Sequence, residues 1–259
     1  MNTSVSYSPT TLINKVPEIS LGFWIIKIMS TTVGETGADY LAVDAGFGAA
    51  RTSTGMAVLL AIALIAQLRA RRHVPWLYWL CVVLVSVVGT QITDALTDGL
   101  GVSLYLSTAV FAFVLAVIFA LWYSIENTLS IQQIYSGRRE YFYWGAILCT
   151  FALGTAAGDL ATEALGLGFQ WGVTAFSLLI ALTAGAFYLG AHTVLIFWIA
   201  YILTRPLGAA LGDMLSQSKQ YGGVGLGAKL TSVLFLAVIV GLVAVEQRRA
   251  NRFAAMAIS

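Results

Sequence analysis

Four aspartates are the residues in this chain whose type and spacing call for a chemical explanation. Asp39, Asp94, Asp159 and Asp213 each follow a glycine by five residues (Gly34, Gly89, Gly154, Gly208). Each glycine follows a tryptophan by ten (Trp24, Trp79, Trp144, Trp198), and each tryptophan follows another aromatic residue (Phe23, Tyr78, Tyr143, Phe197). This is an internal repeat in four copies. The sequence between its landmarks is mainly apolar, and an ionised carboxylate facing lipid costs several kcal/mol. Each aspartate must therefore face protein or water, and four equivalent helices can turn them toward one axis. Glu35 lies one turn before Asp39, while Asp98 and Glu163 each follow a repeat aspartate by four residues and extend the acidic face. The buried cations set against these acids are Lys27 and Arg205. The excess of negative charge favours a cationic substrate, or protons.

Ligand type narrows the choice of cation. The metal-ligating candidates are Glu35, Asp39, Asp94, Asp159 and Asp213, with hydroxyls at Ser30, Thr31, Thr32, Thr36, Thr90, Thr93 and Thr155 and no histidine in the frame. Hard oxygen donors suit Mn, Mg or Ca, with manganese the first choice, as a transported ion rather than a tightly bound cofactor. Thr31 and Thr32 are the expected neutral ligands. Lys27 and Arg205 would tune the carboxylates or replace the cation during the cycle. A structural role stands beside this, in which the aspartates cap helices or pair with Lys27 and Arg205. The copies differ: Lys27 and Glu35 belong to the first alone and Arg205-Pro206 to the fourth alone. The expected site is therefore asymmetric, with helices 1 and 7 contributing most.

The elements that must position these groups are membrane helices. With 59% hydrophobic and 10% charged residues over 259 positions, the chain is too apolar for a soluble domain, where about 25% charge is usual. Ten residues of helix rise about 15 Å, half a hydrocarbon core, so a tryptophan at the interface puts the glycine near the midplane. The expected fold is all-α: a polytopic membrane protein of eight transmembrane helices, as four parallel two-helix repeats, each a hairpin. The repeats cover about 21–70, 76–124, 141–189 and 193–246 within one transmembrane domain, 21–247. Residues 1–20, with Pro9 and Pro17, read as a largely disordered cytoplasmic tail, and 248–259 as a second cytoplasmic tail. Helix 2 is expected from about Met56 to Leu68, after a turn-like stretch from Gly46 to Gly55, and helix 8 from about Leu226 to Val245. The aromatic pairs read as interfacial anchors. The repeat glycines should allow close helix packing, and Gly34-Glu35-Thr36-Gly37 carries enough glycine to break helix 1. Cys81 and Cys149 read as small core residues. No cleavable signal is expected in the polar first twenty residues, which leaves targeting to the first membrane helix.

Basic residues at the ends of helices 2, 4 and 8 share one side with Lys15, which places both termini in the cytoplasm. The four tandem two-span copies, together with Lys27-Ile-Met-Ser-Thr-Thr-Val-Gly-Glu-Thr-Gly-Ala-Asp39, resemble a bacterial family of membrane proteins built from a repeat of unknown function. That resemblance covers about residues 15–250 and implies a multi-pass protein of the bacterial inner membrane. Glu35-Thr-Gly-Ala-Asp39 is also similar to the Glu-x-Gly-Asp motif of certain cation/proton exchangers, with one extra residue and no following Lys-Thr. The expected function is a membrane transporter of a divalent metal cation such as manganese, binding through the residues above. Two other readings stay open: a proton-coupled transporter of a small organic solute, and a membrane assembly or regulatory protein that transports nothing. No Ser/His/Asp or Cys/His set points to an enzyme. The expected partners are the lipid bilayer and the cation or proton, with a homo-oligomer permitted and no nucleic acid.

Overall fold

The computed structural model describes residues 14–135 and 137–256. Over those residues the protein is all-helical: α1 (Leu21–Asp39), α2 (Ala49–Arg69), α3 (Pro75–Asp94), α4 (Leu104–Glu126), α5 (Arg138–Asp159), α6 (Gly168–Tyr188), α7 (Thr193–Ser216) and α8 (Ala228–Met256). Seven of the eight are long and apolar enough to cross a membrane; α1, which carries Lys27, Glu35 and Asp39, is the exception. Local chemistry sets several starts. Ser20 Oγ accepts from the Phe23 amide at 3.2 Å and Ser103 Oγ from Leu106 at 3.3 Å, while Pro75 takes the first turn of α3, where its missing N–H costs nothing. Directly after their aspartates, α1, α3 and α5 widen into π-helical turns, Tyr40–Asp44, Ala95–Gly99 and Leu160–Ala164. The fourth copy has no such turn and carries Pro206 inside α7.

The odd helices form a closed ring, α1 to α3 to α5 to α7 and back to α1. The even helices stand outside it, and each packs on the next copy: α2 on α3, α4 on α5, α6 on α7 and α8 on α1. This corrects the expected hairpins, because the packing unit straddles two copies and the last copy closes onto the first. The repeat glycines explain how the ring closes. A Cβ added at Gly34 would stand 2.5 Å from Ser86 Cβ, at Gly89 2.7 Å from Phe151 Cβ, at Gly154 2.5 Å from Arg205 Cβ, and at Gly208 2.6 Å from Thr31 Cβ. Each glycine is thus the hole for one residue of the next odd helix, and small residues let these backbones approach as expected.

Several sequence expectations need correction. Helix α1 is unbroken through Gly34 and Gly37, since Gly34 is packed against Ser86 and the Thr36 hydroxyl is tied to Ser232 at 2.7 Å. Helix α2 starts at Ala49, within the stretch expected to be a turn, and α8 continues through Arg248, Arg249 and Arg252 to Met256. Of the expected N-terminal tail, residues 1–13 lie outside the described residues, but 14–20 are fastened to the bundle. The buried Lys15 ammonium donates to Glu140 Oε2 at 2.6 Å and to the Leu68 carbonyl at 3.1 Å, while Ile134 N donates to Asn14 Oδ1 at 3.2 Å. Cys81 and Cys149 are free and buried, as core residues should be.

Candidate functional site

The residues facing the ring axis follow a simple rule in the sequence. Counting from the aromatic residue that precedes each tryptophan, the buried positions recur every four residues, along the inclined i±4n row of the helix surface. At the start are Phe23, Tyr78, Tyr143 and Phe197, and one turn on come Lys27, Val82, Ile147 and Tyr201. The next turn brings Thr31, Ser86, Phe151 and Arg205, followed by Glu35, Thr90, Thr155 and Ala209. All sixteen are buried. The fifth position is the aspartate itself.

The first layer is an interlocked aromatic plug. Phe23 packs on Trp79 at 5.4 Å between ring centroids, Tyr78 on Trp144 at 5.6 Å, Tyr143 on Trp198 at 6.4 Å and Phe197 on Trp24 at 5.7 Å. Each copy's first aromatic residue meets the next copy's tryptophan. The expected role as interfacial anchors is therefore corrected for seven of the eight rings, which are buried within the bundle, while Trp24 stays half-buried. The exposed aromatics among the described residues lie elsewhere and include Trp76, Trp171, Tyr141 and Tyr188. Within the plug, the Tyr78 and Tyr143 hydroxyls are 2.6 Å apart and buried. Either Tyr78→Phe or Tyr143→Phe alone should cost about 1 kcal/mol by orphaning the other hydroxyl, and the double change should cost no more than one single. Thermal unfolding of the three variants checks this.

Arg205 closes the axis above the plug. Its buried guanidinium donates through Nη2 to Glu35 Oε2 at 2.8 Å, to Thr155 Oγ1 at 2.7 Å and to Thr90 Oγ1, and through Nη1 to the Thr31 carbonyl at 3.5 Å. One side chain of α7 thereby holds α1, α3 and α5. Glu35, a predicted cation ligand, has one oxygen committed to Arg205. The expected prominence of helices 1 and 7 appears here as an ion pair between them.

Beyond this cluster lies a polar cavity of about 370 Å³. Glu35, Asp39, Asp94, Asp98, Asp159, Glu163 and Asp213 all line it, with Thr97 and Gln217 among the other polar groups. The four repeat aspartates are partly exposed, so the cavity is open at this end. Equal register in four equivalent helices has placed them at one level. Other predicted ligands stand elsewhere. Thr31 Oγ1 donates to the Ile28 and Thr204 carbonyls and Thr32 Oγ1 to Ile28, so both hydroxyls are turned to backbone rather than to the cavity. Lys27 is three layers away, between Phe151 and Tyr201. Among the described residues no three His, Cys, Asp or Glu side chains converge closely enough to hold one metal ion. Gln217 and Phe169 on the cavity wall, and the Lys15–Glu140 pair at the opposite end, have no signal in the repeat frame.

Four stretches, residues 22–73, 77–128, 142–193 and 196–251, match the family model described as Repeat of Unknown Function (DUF347). No curated protein and no solved structure matches the chain.

Proposed function

Since the chain belongs to the DUF347 family of repeats of unknown function, we propose from its geometry that it is an integral membrane transporter binding a cation through intramembrane carboxylates. The observation that carries this reading is the cavity on the ring axis, where seven carboxylates gather and one arginine, bound to Glu35, offsets them. Such a field concentrates cations. The aromatic plug and the Arg205 cluster close the axis at the other end, as a carrier that alternates between two open states requires. All eight helices cross the bilayer in this reading, α1 included, because it holds the same place in the ring as α3, α5 and α7. Arg69, Arg71, Arg72, Arg138, Arg139, Arg248 and Arg249 stand at the aromatic end, so both termini are cytoplasmic in a bacterial inner membrane and the cavity opens outward.

The carboxylates alone favour a hard divalent ion, manganese first. With no three acids converging, the ion would keep its inner water, about 200 Å³ at roughly 30 Å³ per water. Thermal unfolding of the purified protein in detergent, against Mn, Mg, Ca, Zn and a chelator, tests this. Saturation at a hundred times Kd should stabilise by about 2.7 kcal/mol, and Asp39→Asn should abolish most of the effect. An undiminished shift in Asp39→Asn would remove the aspartate from the site.

A further inference from the structure

We propose that the cation this protein carries is an organic ammonium ion, and that Lys27 occupies its aromatic cage in the present structure. The inference rests on the cation-transport reading and names the substrate class. A cation leaving the acidic cavity along the axis must pass Arg205 and then two layers whose side chains include no carboxylate. Those layers hold Lys27, Val82, Ile147 and Tyr201, then Phe23, Tyr78, Tyr143 and Phe197. Their oxygens are three phenols, two of which are bonded to each other. Manganese or magnesium, which demands about six hard oxygens near 2.1 Å, finds no shell there. An ammonium ion can exchange water for the faces of aromatic rings.

The cage already holds an amine. Lys27 Nζ stands 3.9 Å from the Phe151 ring centroid and 4.2 Å from that of Tyr201. The residue is fully buried and its nitrogen has no hydrogen-bond partner among the described residues. The buried Tyr201 hydroxyl is also unpartnered among the described residues, which leaves it free to accept from an N–H. The packing of the ring does not require a lysine at this position, since the equivalent places hold Val82, Ile147 and Tyr201. Lysine carries its charge on a flexible four-carbon stem, so it can leave when a diffusible ammonium arrives. The cavity fits the same ligand: carboxylates spread over about 370 Å³ match the separated N–H groups of an organic cation better than one metal centre.

The test uses the full-length protein in detergent, titrated by thermal shift and calorimetry with methylammonium, 1,4-diaminobutane, choline and, in parallel, manganese chloride. At least one ammonium probe should stabilise the wild type. Phe151→Leu should weaken that probe about five- to thirty-fold, the value of a desolvated cation–π contact. Lys27→Met, which removes the amine from between the rings and leaves an unbranched, pliable apolar side chain there, should bind it several-fold more tightly. Lys27→Met serves even if Phe151→Leu does not fold. Stabilisation by manganese alone, lost in Asp39→Asn, would overturn the ammonium inference and leave the cation reading standing. No response to any of the four would overturn both, and ammonium binding unchanged in both Lys27→Met and Phe151→Leu would overturn the cage.

Discussion

Arg205→Met should lose about 3–5 kcal/mol of stability, the usual cost of removing one partner from a buried pair, and Glu35→Gln in the same chain should return most of it. The size follows from what the guanidinium holds. It is fully buried and donates to groups on three other helices of the ring: Glu35 on α1, Thr90 on α3 and Thr155 on α5. Removing it leaves the Glu35 carboxylate with Thr90 as its remaining hydrogen-bond donor. Glu35 also borders the open cavity, where water can reach it, which puts the expected loss toward the lower end of the range. Glutamine at position 35 removes the unpaired charge and retains an acceptor for Thr90. Denaturant unfolding of wild type, both single variants and the double variant gives the coupling directly. A neutral Arg205→Met, or losses that simply add, would show that the pair does not hold the ring together.

Much of this site was legible in the sequence because the frame repeats without a gap. A fixed spacing from tryptophan to aspartate on helices of equal pitch brings four acids to one level, and the structure puts them on one cavity. The inward row was present too, as sixteen residues from aromatic to aspartate are four steps of four. That row links Phe23, Lys27, Thr31, Glu35 and Asp39 as one inclined i±4n ridge of α1. Helix pairing was not legible. Identical copies bury the same faces whether α2 folds back on α1 or reaches α3, so the repeat pattern is silent on the choice. Lys15 and Glu140 were hidden for another reason: they are single residues 125 positions apart, outside the repeated frame, and each sits in locally polar sequence. Thr31 and Thr32 went astray because a hydroxyl within a helix can bond its own backbone, as both do here.

The ring itself can be broken at one carbon atom. Gly154→Ala should destabilise the bundle by about 2–3 kcal/mol, the upper part of the usual cost of overpacking, whereas Gly145→Ala on the same helix should be neutral or gain roughly 0.5–1 kcal/mol. Alanine favours a helix at both positions, so propensity predicts the same small gain at each and packing alone separates them. At Gly154 the new methyl would meet Arg205 Cβ at 2.5 Å and Pro206 Cδ at 3.1 Å, atoms close to a backbone that Pro206 stiffens; at Gly145 it meets nothing within 4 Å. The pair Gly34 and Ser86 tests the same joint from both sides. Gly34→Ala should be costly alone, because its methyl would stand 2.5 Å from Ser86 Cβ. Adding Ser86→Gly moves the knob to the other helix and should restore part of the loss, despite glycine's own cost in α3. Such rescue, read as a midpoint of thermal unfolding, requires α1 and α3 to touch at this level. If Gly34→Ala with Ser86→Gly proved less stable than Gly34→Ala alone by the full cost of a helical glycine, that contact would be absent, and with it the common register that brings the four aspartates to one cavity.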